Sequence, residues 1–134
     1  MEMIRVNLSS NSYNIYIDKG LLERIGDTLV KGKVPCKTLL ITDKNIEKVY
    51  GSIVTESLKR NKFDVRLVSL QPGEEQKTLE TALTLYDACF DHKLDRQSLI
   101  VALGGGVVGD ISGFVAATFM RGVPFIQIPT SLLA

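Results

Sequence analysis

The chain has 134 residues, 45% of them apolar and 23% charged, with a formal net charge of +1. That length and composition describe one ordinary globular domain and exclude disordered and fibrous classes. A near-neutral chain without a Lys/Arg cluster excludes sequence-independent binding to nucleic acid, and no apolar run approaches the ~20 residues that span a bilayer.

The N-terminus alternates polar and apolar residues over Ile4–Leu8 and again over Tyr13–Ile17, around the polar turn Ser9-Ser10-Asn11-Ser12. This predicts a β-hairpin, and nothing in it has the form of a signal peptide, so the expected location is the cytoplasm. Asp18 is expected to open a short helix with Leu21, Leu22, Ile25 and Leu29 on one face, ended by Gly32. Thr38–Thr42 is a continuous apolar strand of the kind buried in a parallel sheet, ending at Asp43. A helix over about 45–59 is expected to turn Ile46, Val49, Ile53, Val54 and Leu58 inward.

Phe63–Leu70 reads as a strand, broken by Pro72-Gly73. Thr78 caps a helix with Leu79, Ala82, Leu83, Tyr86, Cys89 and Phe90 at helical spacing. Ser98–Leu103 is a third buried strand. A glycine run follows, then a helix through Phe119, then a last strand over Val123–Ile128 closed by Pro129. Strands alternating with helices of about 10–15 residues predict a Rossmann-like, doubly wound α/β fold with a mostly parallel sheet and an N-terminal β-hairpin. The apolar ending Thr130-Ser131-Leu132-Leu133-Ala134 reads as an interrupted chain, since domain boundaries usually fall in polar linkers.

Cys36 and Cys89 are far apart and read as free thiols, Cys89 as a core residue. The single histidine, His92, reads as a solvated residue at a helix end. One histidine without a paired ligand motif cannot make a zinc site.

The segment with the most chemical content is Gly104-Gly105-Gly106-Val107-Val108-Gly109, which satisfies G-x-G-x-x-G between a strand and a helix. Glycines there let the backbone approach a pyrophosphate, and the helix start offers free N–H groups and a positive dipole end. The alternative is a tight turn without a ligand. No acidic residue follows ~20 positions later to hold a ribose, as an ordinary Rossmann fingerprint requires. Asp43, at the end of an earlier strand, is the candidate for that role, with Asn45 beside it; both also suit helix capping. Two more loops end strands on the same edge. Pro72-Gly73-Glu74-Glu75-Gln76-Lys77-Thr78 carries carboxylates and an ammonium, and Pro129-Thr130-Ser131 offers two hydroxyls. Asp110 reads as a carboxylate in the first turn of the glycine-run helix. Arg121 reads as either a surface charge or a phosphate-facing guanidinium.

Through Thr42–Asn45, Pro72–Thr78, Gly104–Asp110, Gly113–Gly122 and Ile128–Ala134, the sequence resembles the 3-dehydroquinate synthase family of the shikimate pathway, which serves aromatic amino acid biosynthesis. The resemblance spans the chain in order. It implies an NAD-binding N-terminal domain over 1–134. Asp43 and Asn45 would hold a ribose, and the loop of Pro72, Gly73, Glu74, Glu75, Gln76 and Lys77 would contact the cofactor. Gly105, Gly106, Val107, Val108, Gly109 and Asp110 would line the phosphates and the nicotinamide side, with Thr130 and Ser131 completing the site. Arg121 would reach the substrate phosphate, in the same or a neighbouring subunit of a homodimer. Position 131 is often Thr in the family, and Ser keeps the hydroxyl.

The resemblance also implies a second, helical domain carrying one Glu and two His ligands for Zn or Co, absent from this chain. The chain alone is therefore expected to be inactive. The implied reaction converts 3-deoxy-D-arabino-heptulosonate 7-phosphate to 3-dehydroquinate and phosphate. Competing readings are a 2-deoxy-scyllo-inosose synthase-like cyclase, a glycerol-dehydrogenase-like alcohol dehydrogenase, and a stand-alone nucleotide-binding module.

Overall fold

A computed structural model describes all 134 residues. Strands β1 (Glu2–Val6) and β2 (Tyr13–Ile17) form the expected antiparallel hairpin, as a two-stranded sheet separate from the rest. A second sheet contains β3 (Lys37–Asp43), β4 (Asp64–Leu70), β5 (Leu99–Gly104) and β6 (Phe125–Pro129) in the order β4-β3-β5-β6, and every pairing is parallel. The helices are α1 (Ile25–Leu29), α2 (Lys44–Ile46), α3 (Ser52–Arg60), α4 (Leu79–Asp91) and α5 (Gly106–Thr118).

Alternate residues of the central strands feed two separate cores. Leu39, Ile41, Ile100 and Ala102 pack against Ala82, Leu85 and Cys89 of α4 and Val108, Ile111 and Val115 of α5. Leu40, Leu99, Val101 and Leu103 pack with Ile25, Val54, Leu58 and Phe63 on the other face. Because both faces are covered, these strands lack polar alternation, as the sequence indicates. Helices on both faces of a parallel sheet make the doubly wound arrangement.

The chain leaves β3 toward α3 on one face and leaves β5 toward α5 on the other. Since β3 and β5 are neighbours, a crevice opens between their carboxyl ends. Open α/β sheets bind ligands at this reversal of strand order. Asp43 and Gly104 are the last residues of the two strands.

Several helices differ from expectation, each for a local reason. Asp18 does not open a helix. Its carboxylate bonds Arg24 Nη2 at 2.8 Å, which holds its pKa below the usual value, and the helical chain begins only at Leu22. Between α2 and α3 lies a π-helical segment, Glu47–Gly51. Its wider turn shifts the helix phase. Val49, expected inside, is 59% exposed, and Gly51 is buried against Leu67 instead. On α4, Ala82, Leu85 and Cys89 face the core, while Leu79, Leu83 and Phe90 are exposed. The helix carries two apolar stripes and only one can meet the sheet. His92 is not solvated: it is 8% exposed, with Nε2 2.8 Å from the Asp64 carbonyl. After α5, Met120 and Arg121 take left-handed backbone angles (φ 49° and 64°), an unfavourable conformation for non-glycine residues.

Cys89 is fully buried, and that burial pushes its thiol pKa from 9.0 up to about 11. Burial also raises the pKa of half-buried Cys36.

Two outcomes follow from these cores. Leu40→Ala, at a site with 0% exposure, should lower unfolding free energy in urea by about 2–5 kcal/mol, whereas Val34→Ala, at 80% exposure, should change it little. Because the folded thiol of Cys89 keeps its proton to higher pH than the unfolded one, its contribution is intact below pH 9 and is lost as pH rises toward 11. The fall in urea midpoint between pH 8 and pH 10 should be smaller in Cys89→Ala than in the unaltered protein.

Candidate functional site

At the carboxyl edge of the sheet the glycine run makes the strand-to-helix turn. Gly105 is the N-cap of α5, in an extended conformation. Gly109 N–H donates to the Gly105 carbonyl at 3.0 Å, which leaves the amides of Gly106, Val107 and Val108 without partners and directed out of the helix end. A Cβ built on Gly106 meets no atom within 4 Å, and one on Gly105 meets only Ser131 Oγ at 3.5 Å. The turn is thus open on the side where the amides point. An anion placed there would meet three donors and the positive end of a 13-residue helix.

The four glycines do different things. A Cβ on Gly104 would lie 2.8 Å from Val108 Cβ, so that glycine lets the turn close on itself. A Cβ on Gly109 would meet the end of the Gln127 side chain, so Gly109 faces β6. Only Gly105 and Gly106 face open space.

Three further segments meet this turn or its edge. Thr130 N–H donates to the Gly104 carbonyl at 2.9 Å, which draws Thr130 and Ser131 to the glycines. In the loop before α4, Gly73 has φ 121° and a short 3-10 turn covers Glu74–Gln76. Pro72, Glu74 and Glu75 are exposed and Gln76 is half-buried. Lys77 Nζ lies 2.8 Å from Asp110 Oδ2 and 3.3 Å from Glu74 Oε2. Asp110, and then Glu74, raise the Lys77 pKa above the usual lysine value. Asp110 is the fifth residue of α5, because the helix begins at Gly106; it stands beyond the first turn, where the sequence placed it.

Asp43 ends β3 and caps α2. Its Oδ1 accepts from the amides of Asn45 at 2.8 Å and Ile46 at 2.9 Å, leaving Oδ2 free. The capping and ribose-binding readings of Asp43 are therefore compatible, since each uses a different oxygen. In the strand register, Ile41 pairs with Ala102, which sets Asp43 level with Gly104 across the crevice.

Arg121 is not brought to this cluster. It follows the far end of α5, and a 13-residue helix is about 20 Å long. Within this chain, Arg121 stands at the opposite edge of the sheet from the glycine turn.

A groove of about 310 Å³ runs between α4 and α5, lined by Leu79, Ala82, Ile111 and Phe114 and closed at one end by Lys77, Thr78 and Asp110. The sequence gives no sign of it, because Leu79 belongs to an apolar stripe that reads as core. No group of three His, Cys, Asp or Glu side chains comes together to hold a metal ion.

The model of the 3-dehydroquinate synthase N-terminal family matches residues 67–134. The 3-dehydroquinate synthase of Desulforamulus reducens is 54% identical over the whole chain, and the chain spans 37% of its length. A crystal structure of 2-deoxy-scyllo-inosose synthase superposes with a TM-score of 0.87 at 24% identity, covering 97% of this chain and 36% of that one. The 2-epi-5-epi-valiolone synthase ValA of Streptomyces hygroscopicus subsp. jinggangensis, solved with NAD+ and Zn2+ bound, superposes with a TM-score of 0.79 at 26% identity over 95% of this chain and 35% of its own. The matched relatives are thus nearly three times as long as this chain.

The capping role of Asp43 can be tested on its own. Asp43→Ala should lose the cap and lower unfolding free energy by about 0.5–2 kcal/mol, read from urea titrations, whereas Asp43→Asn should stay near the unaltered value.

Proposed function

This chain belongs to the 3-dehydroquinate synthase N-terminal family, and from that premise we propose that it is the NAD-binding domain, residues 1–134, of a 3-dehydroquinate synthase. The observation that carries this reading is the open turn at Gly105-Gly106. Its three unpartnered amides lie at the reversal of strand order, level with a carboxylate that has one free oxygen.

The residues present fit the dinucleotide. The amides of Gly106, Val107 and Val108 would hold the pyrophosphate. Asp43 Oδ2, with Asn45 beside it, would accept from ribose hydroxyls, and a carboxylate there disfavours a 2′-phosphate. Thr130 and Ser131 would donate hydroxyl hydrogen bonds next to Gly105. Lys77, Glu74 and Asp110 would border the nicotinamide end, with Pro72, Gly73, Glu75 and Gln76 forming the rest of that wall. When bound, NAD supplies the transient oxidation of a substrate hydroxyl, which acidifies the adjacent C–H and lets phosphate leave by elimination. This chain's own contribution is to hold and orient, through backbone donors that need no reorganisation on binding.

The Zn or Co ion of the proposed full enzyme has no ligand set in these residues, so its chemistry belongs to the part of the protein beyond them. The same holds for most contacts to the sugar-phosphate substrate. Arg121, on the far side from the glycine turn, fits a role at the phosphate of a neighbouring subunit's site in a homodimer. No helix is long and apolar enough to cross a membrane, and the proposed location is the cytoplasm. Among related cyclases, the 54% identity to a 3-dehydroquinate synthase against 24% to 2-deoxy-scyllo-inosose synthase favours the former.

Two outcomes test the reading. Gly106→Ala should leave the urea midpoint unchanged or raise it, since its Cβ meets nothing and alanine favours helix, yet should weaken NAD affinity about tenfold or more, a loss of ~1.4 kcal/mol, in calorimetric titration of the full-length protein. Unchanged affinity would exclude the glycine turn as the phosphate site. The purified 134-residue chain should release no phosphate from 3-deoxy-D-arabino-heptulosonate 7-phosphate, while the full-length protein should.

A further inference from the structure

The loop joining β4 to α4 makes no backbone hydrogen bond to the sheet or to α5. Its backbone hydrogen bonds are internal: Gln76 N–H to the Gly73 carbonyl at 3.1 Å, Lys77 N–H to Glu74 at 3.0 Å and Thr78 N–H to Gln76 at 2.9 Å. The side chain of Thr78 is engaged with Thr81 on the following helix. The polar link from this loop to the rest of the site is Lys77 Nζ to Asp110 Oδ2, at 2.8 Å, with Glu74 as the second carboxylate on the same ammonium. The link lies along the groove between α4 and α5, beside Leu79 and Phe114.

We propose that Lys77 is a positioning residue, which straps the Pro72–Thr78 loop to α5 and sets the spacing between the two walls of the cleft before any ligand arrives. The strap also compensates the charge of Asp110. That carboxylate stands one turn into the helix whose N-terminal amides are free, and uncompensated it would oppose an anion there. Held by Lys77, it leaves the helix end electrostatically available. The part of this inference that concerns an anion rests on the dinucleotide reading; the tethering of the loop does not.

An exposed ion pair contributes modestly, and Lys77 is open to solvent, so the effect to look for is local opening of the loop and not global unfolding. The experiment is amide hydrogen exchange of residues 74–78 in the full-length, ligand-free protein. Lys77→Met and Asp110→Asn should each speed exchange in this loop by about two- to fivefold, and the double variant should be no faster than either single one. Lys77→Arg, which can reach both carboxylates, should keep the slow exchange. NAD affinity, titrated in parallel, should fall with Lys77→Met and recover in Lys77→Arg.

A loop already unprotected in the unaltered protein, exchange unmoved by Lys77→Met, or fast exchange in Lys77→Arg would each overturn the strap. Fast exchange with unchanged NAD affinity in Lys77→Met would overturn its role in preparing the cleft. If the unaltered protein does not bind NAD, the dinucleotide reading fails by itself, and the ligand-free exchange series still decides whether the loop is tethered.

Discussion

The parallel pairing of β3 with β5 is the constraint on which the rest of the structure depends. Thr38 to Ile41 lie beside Leu99 to Ala102, and all eight residues are essentially shielded from water. Each strand supplies side chains to both cores, so the pair joins the two helical layers. It also brings together two chain ends that leave in opposite directions. The crevice between Asp43 and Gly104 is a by-product of that geometry. Ligand-binding groups can gather there because the backbone has already turned away on both sides.

The groups in that crevice are chiefly backbone amides, a capping carboxylate and one ion cluster. Under the proposed reading, this arrangement grips an anionic, hydroxylated molecule and presents part of it elsewhere. Nothing in it resembles a complete acid–base pair or a metal centre. The chain aligns with little more than a third of its relatives' length, and the proposed part of these residues is binding and alignment. Arg121 is separated from the turn by the length of α5.

Much of this was legible in the sequence because burial on both faces writes itself as unbroken apolar runs. Thr38–Thr42 and Ser98–Leu103 could hardly be anything but central strands, and the glycines between a strand and a helix could hardly avoid the carboxyl edge. The register of helices was harder to read. Leu79, Leu83 and Phe90 form as good a stripe on α4 as Ala82, Leu85 and Cys89 do, and only the small Ala82 shows which side must approach closely. The π-helical turn at Glu47–Gly51 has no sequence signature apart from Gly51 under Leu67, so Val49 was assigned inward. The candidate site residues stand out in the sequence by their positions at strand ends, but the different contacts they make do not. That Gly109 faces Gln127, and that Lys77 meets Asp110 across 33 residues of sequence, depend on tertiary contacts that no local pattern records.

The N-terminal hairpin pairs with itself and belongs to neither core. Met3, Ile4, Tyr13, Ile15 and Ile17 are all at least 40% exposed within it. Two strands alone are marginal in water. Opening of the first 17 residues therefore need not be coupled to melting of the four-stranded sheet. A denaturation midpoint read from the sheet reports on the sheet, and an all-or-none treatment of the whole chain would average two events that have separate energies.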